Sequence, residues 1–354
     1  MNKPRKYRIR ILMFLMLLFI GGGVLLYIFL PREPLLLERA AKATDTRDWD
    51  TRWHFYRWIS DHEVLFFRDS SLESSAAPDW NFYKRDTLTG QQTSLAALSH
   101  LAQDSFYKHS LCAISPDGKR ICWTGKGITV AAIDGEHSFR LDTRETGGYA
   151  VVTWMADSSH LIAYSTQAEG AWITFGTIYD AKTQKSTQRL KVSAHTFFEA
   201  VSAHSRLLTC VWPPLQSTDI TETVEIDEGA AGKETQPFRH YFVPLPQRDS
   251  TEEAVFSPQG DRVAWILTQE SDPLSPAAAR LHRLLPAFSL QRPPQVSLWV
   301  SRIDGSQMHE IGCVPLQTDA NEGWRDVIEE TAWLPDGKRL SFRHKDALYT
   351  VSAD

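Results

Sequence analysis

The chain has 354 residues, 42% apolar and 23% charged, so it can bury a core and is not disordered as a whole. The net charge is −5, but the charges are unevenly distributed: residues 1–32 contain six basic residues and no acidic residue. The rest of the chain is therefore more acidic than the net charge suggests. Nucleic-acid binding needs a basic face to neutralise phosphates, so this composition excludes a DNA- or RNA-binding role. The four cysteines and twelve histidines show no zinc-ligand spacing.

Residues 11–30, ILMFLMLLFIGGGVLLYIFL, form an uncharged stretch as long as a bilayer-spanning helix. Five basic residues precede it, so the positive-inside rule keeps the N-terminus cytoplasmic. A cleaved signal peptide is the alternative, although no small-x-small site follows the apolar run. We predict a basic cytoplasmic tail (1–10), a transmembrane helix (11–30), a linker (31–50) and an extracytoplasmic domain (51–354), which is periplasmic if the source is a Gram-negative-type bacterium.

One pattern recurs after residue 51: an apolar strand, a turn rich in Pro, Asp, Gly and Ser, and a second apolar strand. Such turns favour hairpins because Pro presets φ, Asp and Ser bond to nearby backbone, and Gly accepts a positive φ. The copies span residues 57–67, 111–123, 151–164, 199–211, 253–265 and 330–342. A second hairpin follows most of them, as at residues 81–98, 128–141, 173–190 and 296–312. Two hairpins make a four-stranded blade, so six copies predict an all-β, six-bladed β-propeller.

Three details of the repeat carry further predictions. The last copy has three strands, and a strand from residues 35–51 is a candidate for the fourth, although LLLERAAKA has a helical composition. Cys122 occupies the small-residue position held by Ala264 and Ser341 in other copies, which indicates a small buried side chain. The tryptophans of the hairpins indicate packing between blades, and they are Trp58, Trp123, Trp154, Trp265 and Trp333.

These repeats resemble the WD40-like propeller family found in the periplasmic protein of the bacterial Tol system. Residues 115–121 (SPDGKRI) and 334–340 (LPDGKRL) match the turn of that family, and residues 296–312 match its following hairpin. The resemblance covers residues 52–354 and implies a propeller fold. That family has an α/β domain before its propeller, whereas we expect the predicted anchor to take its place in this chain. Because the matching residues build turns, the resemblance implies no catalytic residue.

Long connections gather on one face of the predicted propeller, at residues 68–80, 213–220, 267–295 and 315–326. Insertions on one face often mark the binding face of a repeat protein, although neutral surface loops are the alternative. Three tryptophans in or beside these segments, Trp80, Trp212 and Trp324, belong to the candidate binding set.

Paired acids, Glu252–Glu253 and Glu329–Glu330, begin the first strand of the fifth and sixth copies. Glu253 and Glu330 lie four residues before the equivalent turn position, so we expect them at matching positions at the mouth of the central channel. Side-chain alternation lets one acid of each pair face the channel. Two such carboxylates repel unless calcium or a basic group of a partner lies between them, and solvated strand ends are the alternative interpretation.

The sequence contains no G-x-S-x-G, H-E-x-x-H, Walker or strand-associated G-x-G-x-x-G motif. We therefore predict a scaffold that is not an enzyme, anchored in the membrane by its N-terminal helix, with no cofactor and no nucleic-acid partner. It would bind a protein or an envelope component through its loop-bearing face. The alternative is a propeller enzyme of hydrolase or lyase type, whose central channel would carry several carboxylates or histidines with shifted pKa values.

Overall fold

The computed structural model describes residues 35–46, 56–69, 80–103, 112–125, 127–141, 150–155, 157–165, 173–193, 196–202, 206–211, 223–230, 239–246, 249–269, 294–315 and 328–354. All of them belong to the unit Leu35–Asp354. The predicted cytoplasmic tail and transmembrane helix lie outside the described residues. No helix within the described ranges has the length and apolar character that a membrane crossing needs.

The described chain is all-β apart from two short helices, and its strands form four-stranded antiparallel sheets, six in the described ranges. We number the sheets in the order of their first strands. Strand β1 is Ala41–Asp45. The first three sheets contain β2 (Tyr56–Trp58), β3 (Glu63–Asp69), β4 (Trp80–Asp86) and β5 (Gln92–Ser94); β6 (Cys112–Ile114), β7 (Arg120–Thr124), β8 (Ile128–Ala132) and β9 (Phe139–Leu141); and β10 (Ala150–Trp154), β11 (His160–Ser165), β12 (Ile173–Asp180) and β13 (Lys185–Ser193).

The fourth to sixth sheets repeat this arrangement, and the sixth also recruits β1. They contain β14 (Thr196–Ser202), β15 (Arg206–Val211), β16 (Thr223–Ala230) and β17 (Arg239–Pro244); β18 (Asp249–Phe256), β19 (Arg262–Gln269), β20 (Gln295–Arg302) and β21 (His309–Pro315); and β22 (Glu329–Trp333), β23 (Arg339–His344) and β24 (Ala347–Ser352) followed by β1. Each predicted repeat copy therefore forms the first two strands of one sheet.

The fourth strand of the sixth sheet comes from the N-terminal side of the chain. β1 pairs antiparallel with β24, from Ala41 opposite Thr350 to Asp45 opposite Ala347. Helix α1 (Leu36–Arg39) precedes β1 and occupies only part of the segment with helical composition. Residues 35–46, which we predicted as linker, are thus part of the folded unit. The pairing with β24 outweighs a composition in which only Thr44 has high β-propensity.

Helix α2 (Ala96–Gln103) replaces the end of the hairpin predicted for residues 81–98, whose second strand stops at Ser94. Alanine and leucine at the start of the helix are strong helix formers. Leu98 and Ala102 pack in a core formed by the first two sheets. The short helix therefore packs against both sheets, and the hairpin itself is present as β4 and β5.

The apolar cores lie between neighbouring sheets. The first strands of successive sheets contact one another from β2 to β22. One core joins side chains of the second and third sheets, and another joins the fifth and sixth. The sixth sheet meets the first through a core that contains Trp58, Phe66 and Leu348. The first strands of successive sheets therefore lie next to one another.

The tryptophans of the hairpins are buried between sheets, as predicted. The indole N–H of Trp154 donates to the carbonyl oxygen of Ala113 (3.2 Å), which belongs to the preceding sheet. Trp333 donates in the same way to Val255 (2.8 Å). A hydrogen bond to an otherwise buried carbonyl is favoured because leaving either group unpaired is costly. These bonds tie the first strand of one sheet to the first strand of the next.

Candidate functional site

The predicted acids lie on two neighbouring first strands, β18 and β22. Both strands are irregular there: the register shifts between Thr251 and Glu253 in β18, and between Glu329 and Ala332 in β22. A bulge of this kind re-aims the side chains around it and is common beside functional sites. The two acidic pairs thus occupy corresponding places in adjacent sheets. Glu252 lies in β18, and its side chain is outside the described set.

Glu330 is held in an unusual backbone conformation, with a φ of 52°. Its carbonyl oxygen accepts a hydrogen bond from the hydroxyl of Tyr56, which belongs to the first sheet. The Oε1 atom of Glu330 is buried and has no hydrogen-bond partner among the described residues. A buried carboxylate oxygen in that state is costly, since folding removes water without supplying a donor.

Glu329 forms an ion pair with Arg343, and the Arg343 side chain is only 9% exposed. The two residues are direct cross-strand partners in β22 and β23. Burying an arginine removes its hydration, and the attraction to its carboxylate partner offsets that free-energy cost. The basic group that we expected from a partner is therefore supplied to Glu329 by the chain itself.

Glu253 is largely buried, and burial raises the pKa of its carboxyl group to about 7, with the positive charge of Arg57 opposing the rise. The charge of Arg57 also opposes the rise that burial causes in the pKa of Cys112, so it acts on groups of both the second and the fifth sheets. Its Nη1 atom donates to the carbonyl oxygen of Tyr56 (2.9 Å). Arg57, which is exposed, therefore lies within electrostatic range of groups on two other sheets.

The hydroxyl of Ser341 connects the sixth sheet to the first. It accepts the indole N–H of Trp58 (2.7 Å), lies 3.1 Å from the Tyr56 hydroxyl and donates to the carbonyl oxygen of Ala332 (3.2 Å). Burial raises the pKa of Tyr56 well above its ordinary value, while the bond to Ser341 opposes that rise. Tyr56 therefore stays neutral and acts here as a hydrogen-bonding group.

The small-residue position predicted from the repeats has a structural role. Cys122, Ala264 and Ser341 are cross-strand partners of Ala113, Val255 and Ala332, respectively. Cys122 is buried, and its thiol donates to the carbonyl oxygen of Ala113 (3.6 Å), as Ser341 does to that of Ala332. A bulkier side chain there would displace the tryptophan of the following sheet.

Among the described residues, Tyr56 links two of the predicted acids: its hydroxyl donates to the carbonyl oxygen of Glu330, and the charge of Glu253 contributes to the rise of its pKa. The described side chains do not include those of the three tryptophans of the candidate set. Trp80 begins β4 in the first sheet, opposite Asp69, and nothing is described of its side chain. Trp212 and Trp324 lie outside the described residues. Among the described residues, no group of three His, Cys, Asp or Glu side chains is arranged to hold a metal ion.

Tyr56, Arg57 and Arg343 are the site residues that the repeat pattern did not reveal. One signal was present for Arg343. Glu253 faces Ile266 across the fifth sheet, whereas Glu329 faces Arg343 across the sixth. An arginine at a strand position that is apolar in another copy is expensive to bury, and therefore indicates a partner acid. Arg57 lies in the degenerate first copy, where no comparable contrast exists.

The opposite ends of the sheets, where first and second strands are joined, form what we call the turn face. Neighbouring turns touch there. The backbone N–H of Asp117 donates to the hydroxyl of Ser158 in the next sheet (3.0 Å), and Arg339 donates to the carbonyl oxygen of Asp61 (3.3 Å). Arg120 lies over the Trp154 ring, 4.7 Å from its centre. The turns of the second and third sheets, and those of the sixth and first, are therefore in contact.

The other ends of the sheets, where second and third strands are joined and each sheet leads to the next, form the loop face. Glu329 and Glu330 begin β22 at this face, whereas Glu252 and Glu253 lie inside β18, which already starts at Asp249. The prediction that both acidic pairs begin a first strand is therefore wrong for the fifth copy, because β18 extends three residues further towards this face. Most residues of the long connections fall outside the described ranges. The candidate site is therefore the group of Glu253, Glu329, Glu330, Arg57 and Arg343 at the loop-face end of the first strands.

No family model matches the chain, and no curated protein matches it. Among solved structures it is similar to the β-propeller domain of the trilobed protease from Pyrococcus furiosus, with 14% identity, 85% of this chain and 83% of that chain covered, and a TM-score of 0.48. It is similar to a TolB protein from Agrobacterium tumefaciens (12% identity, 84% and 88% covered, TM-score 0.47). Oligogalacturonate lyase from Vibrio parahaemolyticus is also similar (11% identity, 85% and 90% covered, TM-score 0.47).

These neighbours are β-propeller proteins, and they include enzymes as well as TolB-like proteins. Identities and TM-scores this low carry no information on activity. What the chain itself shows is an all-β unit of four-stranded antiparallel sheets with few helices.

Proposed function

We propose that the chain is a membrane-anchored, extracytoplasmic, six-bladed β-propeller that binds a protein or an envelope component through its loop face. The six sheets, the contacts between successive first strands and the core shared by the sixth and first sheets support the propeller. The apolar residues 11–30 and the basic residues before them support the anchor.

The observation that carries the choice of face is the contact between neighbouring turns. A Cβ atom on Gly118 would collide with the carbonyl oxygen of Ile59 in the neighbouring sheet, and one on Gly337 would collide with Gln259. Turns this close leave little surface for a partner. By chain order, the loop face instead carries the long connections, and its charged side chains include Glu330, whose Oε1 atom has no partner within the described ranges.

Two exposed lysines provide a matched test of the binding face. Lys345 follows β23 at the loop face, close to the Glu329–Arg343 pair, and Lys338 lies in the first turn of the same sheet at the turn face. A photo-crosslinking amino acid at position 345 should give a covalent adduct with an envelope component in intact cells. The same amino acid at position 338 should give none. Adducts from position 338 alone would contradict the assignment of the face.

One observation favours an enzyme of hydrolase or lyase type instead. A carboxyl group with a pKa of about 7, as in Glu253, is suited to proton transfer near neutral pH, and Arg57 is close enough to lower that pKa. Turnover of a peptide or oligosaccharide substrate that is abolished in Glu253→Gln, while binding to the loop face persists, would favour this alternative over the scaffold.

A further inference from the structure

Residues 35–46, which we call the clasp, touch three sheets at once. β1 pairs with β24 of the sixth sheet. Leu35 forms a bridge with Cys313 of the fifth sheet, and Arg39 Nη1 donates to the carbonyl oxygen of Ile311 there (2.7 Å). From the first sheet, Arg85 Nη1 donates to the carbonyl oxygen of Asp45 (2.8 Å) and to Thr44 Oγ1 (3.2 Å).

The clasp is held by main-chain bonds and a few anchoring side chains. Leu36 is fully buried in the core of the fifth and sixth sheets. The residues of β1 are exposed or half-buried, whereas those of β20 in the fifth sheet are nearly all buried. The pairing with β24 is also interrupted by a register shift between Lys42 and Thr44. Segments with few buried apolar contacts open at lower free energy than the core around them.

Beneath the clasp lies the contact between the sixth and first sheets. Ala43 packs on the core that contains Trp58, Phe66 and Leu348. Arg85, which holds the end of β1, also lies over the Phe66 ring, 5.4 Å from its centre. One side chain therefore links the clasp to the core of this contact. Loss of the clasp uncovers the edge of β24 and one side of that core.

We propose that residues 35–46 open as a unit, and that this opening controls how easily the first and sixth sheets separate while the other sheets stay folded. The inference does not depend on the proposed function. It requires only that the contacts of Arg85, Arg39 and Leu36 hold the clasp more weakly than the cores hold the sheets. Tension or proteolysis acting on the chain before residue 35 would then act on this contact first.

Hydrogen–deuterium exchange on the full-length protein tests the proposal. In the parent, amides of β1 and β24 should exchange through an opening that leaves β7 and β8 protected. Arg85→Met should speed exchange in β1 about tenfold or more, because it removes hydrogen bonds from a charged donor. Exchange in β2 should rise with it, and exchange in β7 and β8 should not. Arg120→Met, which removes an arginine that also lies over an aromatic ring between two other sheets, is the matched control and should leave β1 unchanged.

A second variant keeps the test decisive if Arg85→Met perturbs the whole protein. Ala41 and Thr350 are opposite each other in β1 and β24 and are not buried. A disulfide in Ala41→Cys/Thr350→Cys should slow exchange in β1, and reduction should restore it. If β1 exchanges only as fast as β7 and β8 in the parent, and the disulfide changes nothing, the clasp does not open separately and the proposal is wrong.

Discussion

The carboxyl group of Glu253 is largely buried, and its protonation makes the stability of the fold depend on pH. Because burial raises its pKa from 4.5 to about 7, the folded state binds the proton more tightly than the unfolded state does. Stability from this group is therefore fully present below pH 4.5 and falls as pH rises towards 7. Above pH 7 the folded protein bears the full cost of a buried carboxylate, about 3 kcal/mol at ~1.4 kcal/mol per pKa unit.

Glu253→Gln should remove this dependence, because glutamine keeps the shape and cannot ionise. We expect the variant to match the parent near pH 4.5 and to exceed its free energy of unfolding at pH 8, by up to about 3 kcal/mol. Urea unfolding at both pH values measures the difference. Glu136→Gln, at an exposed turn position, is the control and should follow the parent at both. Equal stability of Glu253→Gln and the parent at pH 8 would show that the carboxylate is well solvated or fully compensated by Arg57.

The candidate acids could be read from the repeats, and their partners could not. Aligning the copies places Glu253 and Glu330 at equivalent positions, and both lie at bulges in neighbouring first strands. The bulges themselves, and the resulting contacts with Tyr56 and Arg57, depend on how the sheets meet. Unlike the contacts of the hairpin tryptophans, which recur from copy to copy, these contacts leave no periodic pattern in the sequence, because Tyr56 and Arg57 act on the acids from a single copy.

At the scale of single elements, two turn glycines allow a direct comparison of backbone strain with contact between sheets. Gly118 and Gly90 both have positive φ, 69° and 74°, so alanine is strained at either position. A Cβ on Gly90 meets no atom within 4 Å, whereas one on Gly118 collides with the backbone of the neighbouring sheet. Gly90→Ala should therefore cost about 1 kcal/mol of stability. Gly118→Ala should cost several times as much, since the two sheets must move apart.

Thermal unfolding of the two variants measures that difference. The comparison isolates the contact between sheets, because the backbone strain is nearly the same at both glycines. Similar losses in Gly118→Ala and Gly90→Ala would mean that the turn face is looser than the hydrogen bonds between its turns indicate.

The hairpins were predictable because each is a local unit with its own turn chemistry. The register shows the paired strands of all six copies where the sequence indicates them. β1 was harder, because its residues have no strong strand preference and only its distant partner makes it extended. The sequence did not predict helix α2 for a related reason. Its Leu98 and Ala102 pack in a core that exists only once two sheets have come together.

At the scale of the whole molecule, the prediction concerns topology. If residues 11–30 anchor the chain with its N-terminus in the cytoplasm, residues 51–354 lie on the far side of the membrane. Protease added after the outer barrier is opened should then digest the sheets, and protease confined to the cytoplasmic side of inverted vesicles should not. An antibody against the C-terminal residues reports both results. Digestion from the cytoplasmic side would overturn the predicted orientation.

The pairing of β1 with β24 also imposes an order on biosynthesis. β1 leaves the ribosome long before its partner exists, and the nearby contact of Tyr56 with Ser341 joins residues 285 positions apart. Contacts this distant form slowly, and an unpaired strand edge is open to association with other chains in the meantime. A message truncated between β21 and β22 would yield five complete four-stranded sheets and leave β1 without its partner strand. Nascent chains of this protein should therefore depend on a chaperone until the last residues of β24 are made.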